Sequence, residues 1–214
     1  ARSILSASGL DLNALQEAAN RRGFKPVAIE GAKASATLTT SVKVSEDANV
    51  IGVLRGSEAP EEYVLYMGHW DHLGTTESAA GDDKIFNGAV DNATGIAAML
   101  EIAEKFANAA ERPRRSILFA AVTAEESGLL GSAYMAEAPP VPLASIVGGI
   151  NIDALLPAPL TKDMIVVGYG ASELEDFLKA AADKRGMYLR PDAEPEKGFF
   201  YRSDHISFAK KGVP

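Results

Sequence analysis

Residues 116–132 read SILFAAVTAEESGLLGS, and this stretch indicates the fold class. Its first seven residues form a short apolar run, typical of a strand that is buried on both faces of a sheet. The polar residues that follow are typical of a loop, and a helix is expected over residues 128–138. A buried strand, a polar loop and a helix in this order are the repeating unit of α/β proteins.

The same alternation extends on both sides of this stretch. Apolar runs bounded by glycine, proline and charged residues predict strands at 50–54, 63–67, 145–152 and 164–167. Apolar residues recur at spacings of three and four over 92–110, which predicts an amphipathic helix, and a further helix is expected at 173–185. The alternation predicts an α/β domain with a largely parallel central sheet.

The first 45 residues have a different pattern. Residues 11–23 are typical of a short helix, and residues 34–44 alternate apolar and polar side chains, which predicts a half-buried strand. We therefore divide the chain into an N-terminal segment, residues 1–45, and a main domain, residues 46–214.

The composition argues against several classes of function. The 214 residues carry a formal net charge of −8, whereas nucleic-acid binding depends on clustered lysine and arginine. The sequence has no cysteine, which excludes disulfides, thiolate zinc sites and a thiol nucleophile. No apolar run reaches the roughly 18 residues that indicate a membrane span.

Several polar residues lie where the predicted strands end. Each follows a strand except Asp91, which comes just before the helix at 92–110. In parallel sheets, ligands bind at the carboxyl ends of the strands. We expect these side chains to meet at one edge of the sheet: His69, Asp71, Asp91, Glu125, Glu126 and Asp153.

Carboxylates that gather in a desolvated cleft repel one another unless a cation compensates or some of them bind protons. Imidazole and carboxylate ligands without sulfur suit zinc or another divalent transition ion, whereas calcium and magnesium prefer oxygen ligands. One imidazole and three carboxylates exceed the three protein ligands typical of a mononuclear catalytic zinc, which favours two ions. The expected metal ligands are His69, Asp91, Glu126 and Asp153.

Each of these motifs alone has a simpler interpretation. A His-x-Asp pair is usually a surface or capping pair, and adjacent glutamates often begin a helix, where acids complement the helix dipole. Asp91 could cap a helix, and Asp153 could cap a turn. All of these interpretations would have to hold at once at successive strand ends, so the metal site is favoured.

Five blocks of sequence carry a resemblance to a known family. They are GHWDHLG at 68–74, GAVDNATG at 88–95, TAEESGLLGS at 123–132, NID at 151–153 and RSDHISFAKKGVP at 202–214. Their content and order resemble the zinc aminopeptidase family that also contains glutamate carboxypeptidase. The resemblance implies a zinc exopeptidase-like fold, a three-layer α/β/α sandwich with a mixed, largely parallel central sheet.

The resemblance also implies two zinc ions. His69 and Glu126 would bind one zinc ion and Asp153 the other, with Asp91 bridging the two. The Asp71 carboxylate would hydrogen-bond the second ring nitrogen of His69 and fix its tautomer. The peptide bond that follows Asp91 is expected to be cis.

The implied reaction is hydrolysis of a peptide substrate at its N-terminal residue. Glu125 would act as the catalytic base, taking a proton from water and passing it to the leaving amine. The candidate pocket residues are Phe200, Tyr201, Arg202 and His205.

One ligand of the family is missing. The family takes a histidine for its second zinc from a later motif, whereas the histidines here are His69, His72 and His205. His72 adjoins the first motif and His205 belongs to the block at 202–214, so neither matches. We interpret residues 46–214 as a catalytic domain that lacks its C-terminal part, with residues 1–45 as the end of an inserted lid domain in one interpretation. A divergent inactive homologue and replacement by His205 are the alternatives, and weak binding of the second ion is expected.

The family that this sequence resembles has members with other functions, so two alternatives to an aminopeptidase stay open. A carboxypeptidase or dipeptidase would need a basic pocket, for which Arg202 is the candidate. A catalytically inactive homologue used for binding, as the transferrin receptor is, forms a third reading, against which the intact Glu125 argues. The habit of the family implies an extracytoplasmic location.

Overall fold

The computed structural model describes residues 2–78, 81–157 and 159–214. The chain divides into two compact units, residues 1–45 and residues 46–214. The first unit contains helices α1 (Arg2–Ala7) and α2 (Leu12–Ala19). Asp11 begins α2 because its side chain accepts a hydrogen bond from the Ala14 N–H at 2.8 Å.

The strand expected over residues 34–44 does not form, so that prediction is wrong. This stretch has no regular secondary structure. The side chains of Leu38, Val42 and Val44, which the alternating pattern places on a buried face, are exposed. Alternation produces a strand only where a partner strand and an apolar surface are available, because an isolated strand is not stable in water.

In the second unit, strands and helices alternate along the described residues. The strands are β1 (Val50–Leu54), β2 (Ala59–His69), β3 (Arg115–Val122), β4 (Ile146–Asn151), β5 (Asp163–Val166) and β6 (Tyr188–Pro191). The α-helices are α3 (Thr94–Ala107), α4 (Leu130–Glu137), α5 (Leu174–Asp183) and α6 (His205–Ala209). Short 3-10 helices cover Leu143–Ser145, Pro195–Lys197 and Phe199–Tyr201, and an irregular π-helical turn, Ala89–Ala93, precedes α3. Among the described residues, no helix is both long and apolar enough to cross a membrane.

Four strands form the central sheet, in the order β1-β3-β2-β4. β2 runs parallel to both β3 and β4, whereas β1 is antiparallel to β3. The prediction of a mixed, largely parallel sheet is therefore confirmed. β5 and β6 form a separate parallel pair.

Helices cover both faces of the central sheet. The buried core on one face combines strand residues with residues of α4 and α6: Leu65, Met67, Leu118, Val122, Met135 and Phe208. Because successive residues of a strand point to opposite faces, Tyr66 lies on the other face. Its ring stacks on Phe119 at a centroid distance of 5.8 Å and lies 6.2 Å from Phe106 of α3. The α/β/α sandwich is confirmed.

The register of the sheet positions the candidate site. His69 at the end of β2 pairs with Val122 at the end of β3, and Met67 pairs with Asn151 at the end of β4. The loops that follow these three strands therefore leave the sheet at the same edge. This edge is where ligands bind in parallel sheets.

Candidate metal centre

His69, the last residue of β2, is almost completely buried. Its Nδ1 lies 3.1 Å from the backbone carbonyl oxygen of Asp71. Because a carbonyl oxygen only accepts, Nδ1 carries the proton and donates. Nε2 then faces two carboxylate oxygens, Asp91 Oδ1 at 3.0 Å and Asp153 Oδ1 at 3.4 Å. A neutral imidazole would have no proton at Nε2, whereas a protonated one donates from Nε2 to Asp153. In both forms the two carboxylate oxygens favour a positive charge at this position.

The pKa values reflect the same excess of negative charge. Burial lowers the pKa of His69, but the hydrogen bond and charge of Asp153 outweigh burial and raise the pKa to about 9. In turn, the hydrogen bond to His69 lowers the pKa of Asp153. A proton on His69 and a divalent cation are alternative ways to neutralise this group.

The side chain of Asn92 holds Asp91 in place. The Asp91–Asn92 peptide bond is cis, as expected. Asn92 is buried; its Nδ2 donates to the Ile152 carbonyl at 2.9 Å, and its Oδ1 accepts from the N–H groups of Gly95 at 3.0 Å and Ala154 at 3.1 Å. A Cβ at Gly95 would overlap both the Asn92 side chain and the Ile152 carbonyl, so this close approach requires glycine. These bonds fasten the turn before α3 to the end of β4.

Two neighbours orient the carboxylate of Asp153. The Ser203 hydroxyl donates to Asp153 Oδ2 at 2.5 Å, and Asn151 Nδ2 donates to Ser203 Oγ at 2.6 Å. Oδ2 is thereby engaged, which leaves Oδ1 directed at His69. The next residue, Ala154, has a left-handed backbone with φ 48°, a conformation that non-glycine residues adopt mainly at constrained or functional sites.

A second group of potential ligands also includes Asp91. His72, Asp91 and Glu126 each offer one ligand atom, and these atoms all lie within 4.8 Å of one another. His72 Nδ1 and Glu126 Oε1 are 2.6 Å apart. Both atoms are buried, and neither has a hydrogen-bond partner among the described residues. Buried polar atoms without hydrogen bonds are costly, and a cation would compensate them.

Glu125 precedes Glu126 and belongs to neither group. Its backbone N–H donates to Asp71 Oδ1 at 3.1 Å. Burial raises the pKa of Glu125 to about 7, the charge of His69 acts in the opposite direction, and the charge of Asp204 adds to the rise. Ala124, directly before it, has φ 54°, so a left-handed residue aims this loop as it leaves β3.

The structure adds Asp204, a carboxylate that the sequence did not single out. It is completely buried, and neither of its oxygens has a hydrogen-bond partner among the described residues. Burial raises its pKa to about 6; the nearby Ser132 lowers it, although that hydroxyl donates to the Leu129 carbonyl at 3.1 Å. Its position inside the RSDHIS block is the sequence signal that could have identified Asp204 as a candidate site residue.

The geometry of the site differs from two of the expectations. His69 was assigned to the same ion as Glu126, whereas the structure groups His69 with Asp153 and groups Glu126 with His72. The Asp71 carboxylate was expected to hydrogen-bond His69. It lies 3.7 Å from Nδ1 and accepts from Glu125 instead, and the backbone carbonyl of Asp71 takes the imidazole proton.

The four candidate pocket residues occupy different environments. Phe200 and His205 line a cavity of about 1080 Å³ that also reaches Asp153. Their rings are 5.2 Å apart. Tyr201 is 65% exposed. Arg202 donates to the Lys197 carbonyl at 3.0 Å and stacks on the ring of Phe199.

The residues present fit zinc. The two groups offer imidazole nitrogens and carboxylate oxygens without sulfur, and each contains three protein ligands, the number typical of a zinc site that keeps a position open. Carboxylate oxygens face Nε2 of His69, and the buried Nδ1 of His72 and Oε1 of Glu126 lack hydrogen bonds. Both arrangements favour a cation. Asp91 belongs to both groups, as a bridging carboxylate would.

Known proteins match about half of this chain. A probable zinc metalloprotease of Pyrenophora teres f. teres is 36% identical over 104 residues, 49% of this chain and 22% of that protein. An aminopeptidase of Rattus norvegicus is 32% identical over 111 residues, 50% of this chain and 13% of that protein. The chain thus spans about a fifth or less of the length of these relatives.

Solved structures share the fold. A zinc aminopeptidase from Bacillus subtilis matches with a TM-score of 0.57 and 22% identity, over 77% of this chain and 38% of that one. A Zn-dependent exopeptidase from Parabacteroides distasonis matches with a TM-score of 0.59 and 22% identity, over 78% and 61% of the two chains. Peptidase family M28 matches residues 49–214, which is most of the chain. The chain therefore belongs to peptidase family M28, a family of zinc aminopeptidase-like metallopeptidases.

Proposed function

We propose that this protein is a two-zinc aminopeptidase that removes N-terminal residues from peptides. The observation that carries the proposal is the pair of ligand groups that share Asp91 at the carboxyl edge of the sheet. The membership in family M28 and the names of the relatives support it.

In this proposal, His69, Asp91 and Asp153 would hold one zinc ion, and Asp91 and Glu126 would contribute to the second. Asn92 and Ser203 keep two of these carboxylates in place through the hydrogen bonds described above. When bound, zinc supplies Lewis acidity, which polarises a peptide carbonyl and lowers the pKa of water to about 7.

Glu125 is proposed as the general base. It stands beside both groups but ligates in neither, so its carboxylate is free to accept a proton from the attacking water. The water oxygen bonds to the carbonyl carbon, the C–N bond breaks, and Glu125 returns the proton to the nitrogen of the leaving amine. The hydrogen bond from the Glu125 N–H to Asp71 fixes the backbone that presents this carboxylate.

Charge favours an aminopeptidase over a carboxypeptidase. Glu125 lies outside both proposed ligand groups, so zinc would not use its carboxylate as a ligand, and a negative charge there attracts a substrate amine more readily than a substrate carboxylate. The cation suggested for a carboxypeptidase, Arg202, is engaged with the Lys197 carbonyl and the Phe199 ring.

Paired substrates test the direction of cleavage. We expect the zinc-loaded protein to hydrolyse an amino-acid p-nitroanilide with a free amine at least about 100-fold faster than its N-acetyl derivative, because acetylation removes the charge that the acidic site selects. Release of p-nitroaniline measures both rates, and a chelator should abolish the activity. Faster hydrolysis of the N-acetylated substrate would contradict the proposal.

A further inference from the structure

The side chain of Asn49 closes the loop that carries Glu125. This loop, residues 123–131, begins directly after β3 and ends in the first turn of α4. Asn49 precedes β1 and binds both ends of the loop: its Oδ1 accepts from the Thr123 N–H at 3.0 Å, and its Nδ2 donates to the Gly131 carbonyl at 2.8 Å. We propose that Asn49 is a positioning residue for Glu125. This inference rests on the proposed role of Glu125 as the general base and names the side chain that keeps its loop in place.

The backbone between the two ends of this loop is strained. Ala124 and Leu129 have φ values of 54° and 62°, in the left-handed region that non-glycine residues keep only where surrounding contacts compensate its cost. The Gly131 N–H donates to the Thr123 carbonyl at 3.0 Å. With the two bonds of Asn49, three hydrogen bonds hold the ends of the loop together. Removing the two bonds of Asn49 would let the strained backbone relax.

The contact between Asn49 and the loop requires both an amide and a glycine. A Cβ at Gly131 would lie 2.7 Å from Asn49 Oδ1, so a larger residue would push the two apart. The amide supplies a donor and an acceptor on two atoms, whereas an ionised aspartate has no donor and alanine has neither group. Thr123 is only 8% exposed, and a buried N–H that loses its partner is costly.

The two residues before Asn49 contact the same edge of the sheet. Asp47 Oδ2 accepts from the Thr123 hydroxyl at 2.7 Å. The Ala48 carbonyl accepts from the Trp70 indole N–H at 3.3 Å, in the loop that follows β2. These three consecutive residues therefore fasten the loops after β2 and β3, and Asn49 is the one among them that binds both ends of the second loop.

Glu125 is close in sequence to the end that Asn49 holds. One residue, Ala124, separates it from Thr123, so a displacement of Thr123 is passed directly to Glu125. A misplacement of about 1 Å can cost about 100-fold in rate when it reaches a reacting group. Loss of the Asn49 side chain should therefore slow the proton transfer more than it weakens substrate binding.

A double-mutant cycle with Glu125→Gln tests the inference. At saturating zinc, we expect Asn49→Ala to lower kcat for an amino-acid p-nitroanilide by about 10- to 100-fold and to leave KM within about threefold, because the chemical step is affected. In the Glu125→Gln background, where the base is already absent, Asn49→Ala should change kcat by less than about threefold, since residues that act as a unit are not additive. A merely structural role would lower kcat alike in both backgrounds.

The same cycle with Asn49→Asp separates hydrogen bonding from side-chain size. Aspartate is nearly isosteric but does not donate to the Gly131 carbonyl, so kcat should fall at least about tenfold. Asn108→Ala, at the exposed C-terminal end of α3, is the matched control and should keep kcat within about twofold. Retention of the first zinc ion, whose proposed ligands lie outside the loop, shows that each variant is folded.

Two kinds of result would overturn the inference. Unchanged kcat in Asn49→Ala, or an equal fall with and without the Glu125 carboxylate, would do so while leaving the proposed function standing. Unchanged kcat in Glu125→Gln itself would overturn the proposed base, and this inference with it.

Discussion

Glu125→Gln is expected to lower kcat for an amino-acid p-nitroanilide by about 10²- to 10⁴-fold, the usual contribution of a general base. Glutamine has nearly the same size and keeps the backbone N–H that donates a hydrogen bond to Asp71. Its side chain cannot take a proton from water. Because Glu125 ligates in neither group, zinc content should not change. Steady-state rates and metal analysis of the same preparation measure the two effects.

Glu101→Gln is the matched control for this substitution. Glu101 is 65% exposed on α3 and pairs with Lys105 at 3.5 Å, so its replacement should leave kcat within about twofold. A Glu125→Gln protein with unchanged kcat would show that another group serves as the base. Loss of zinc in that variant would show that Glu125 is a ligand.

Asp91→Ala is expected to remove both zinc ions, because its carboxylate belongs to both ligand groups. Glu126→Ala, which affects one group, should lose one ion and retain the other. Metal analysis after dialysis against zinc-free buffer compares the two variants. The exposed Asp176 on α5 provides the control, since Asp176→Ala should keep two ions. One tightly bound ion in Asp91→Ala would contradict a shared carboxylate.

The central sheet could be predicted from the sequence because its strands are local apolar runs. SILFAAV became β3 with one residue added at its N-terminal end, Arg115. The helix expected at 92–110 became Thr94–Ala107, since its apolar stripe faces the sheet. The mostly exposed β6 and the short α6 have no such pattern, so they were missed. Residues 34–44 have the pattern without a partner strand, which the sequence alone does not reveal.

The candidate ligands were also visible in the sequence, whereas their grouping was not. Strand order decides which ligand side chains meet. β2 lies between β3 and β4, so His69 has neighbours on both sides, and its imidazole turns toward Asp153 rather than Glu126. His72 was set aside because it matches no later motif. In the folded loop that follows β2, His72 packs against Gly88 and Phe86 and lies next to Glu126.

Anomalous X-ray scattering at the zinc edge, from crystals of the zinc-loaded protein, tests the two-zinc site most directly. We expect two peaks about 3.5–4 Å apart, the spacing of two-metal hydrolases. One should lie among His69, Asp91 and Asp153, and the other should lie on the far side of Asp91, next to Glu126. Peaks confined to other parts of the chain, or none at the carboxyl edge of the sheet, would contradict the proposed function.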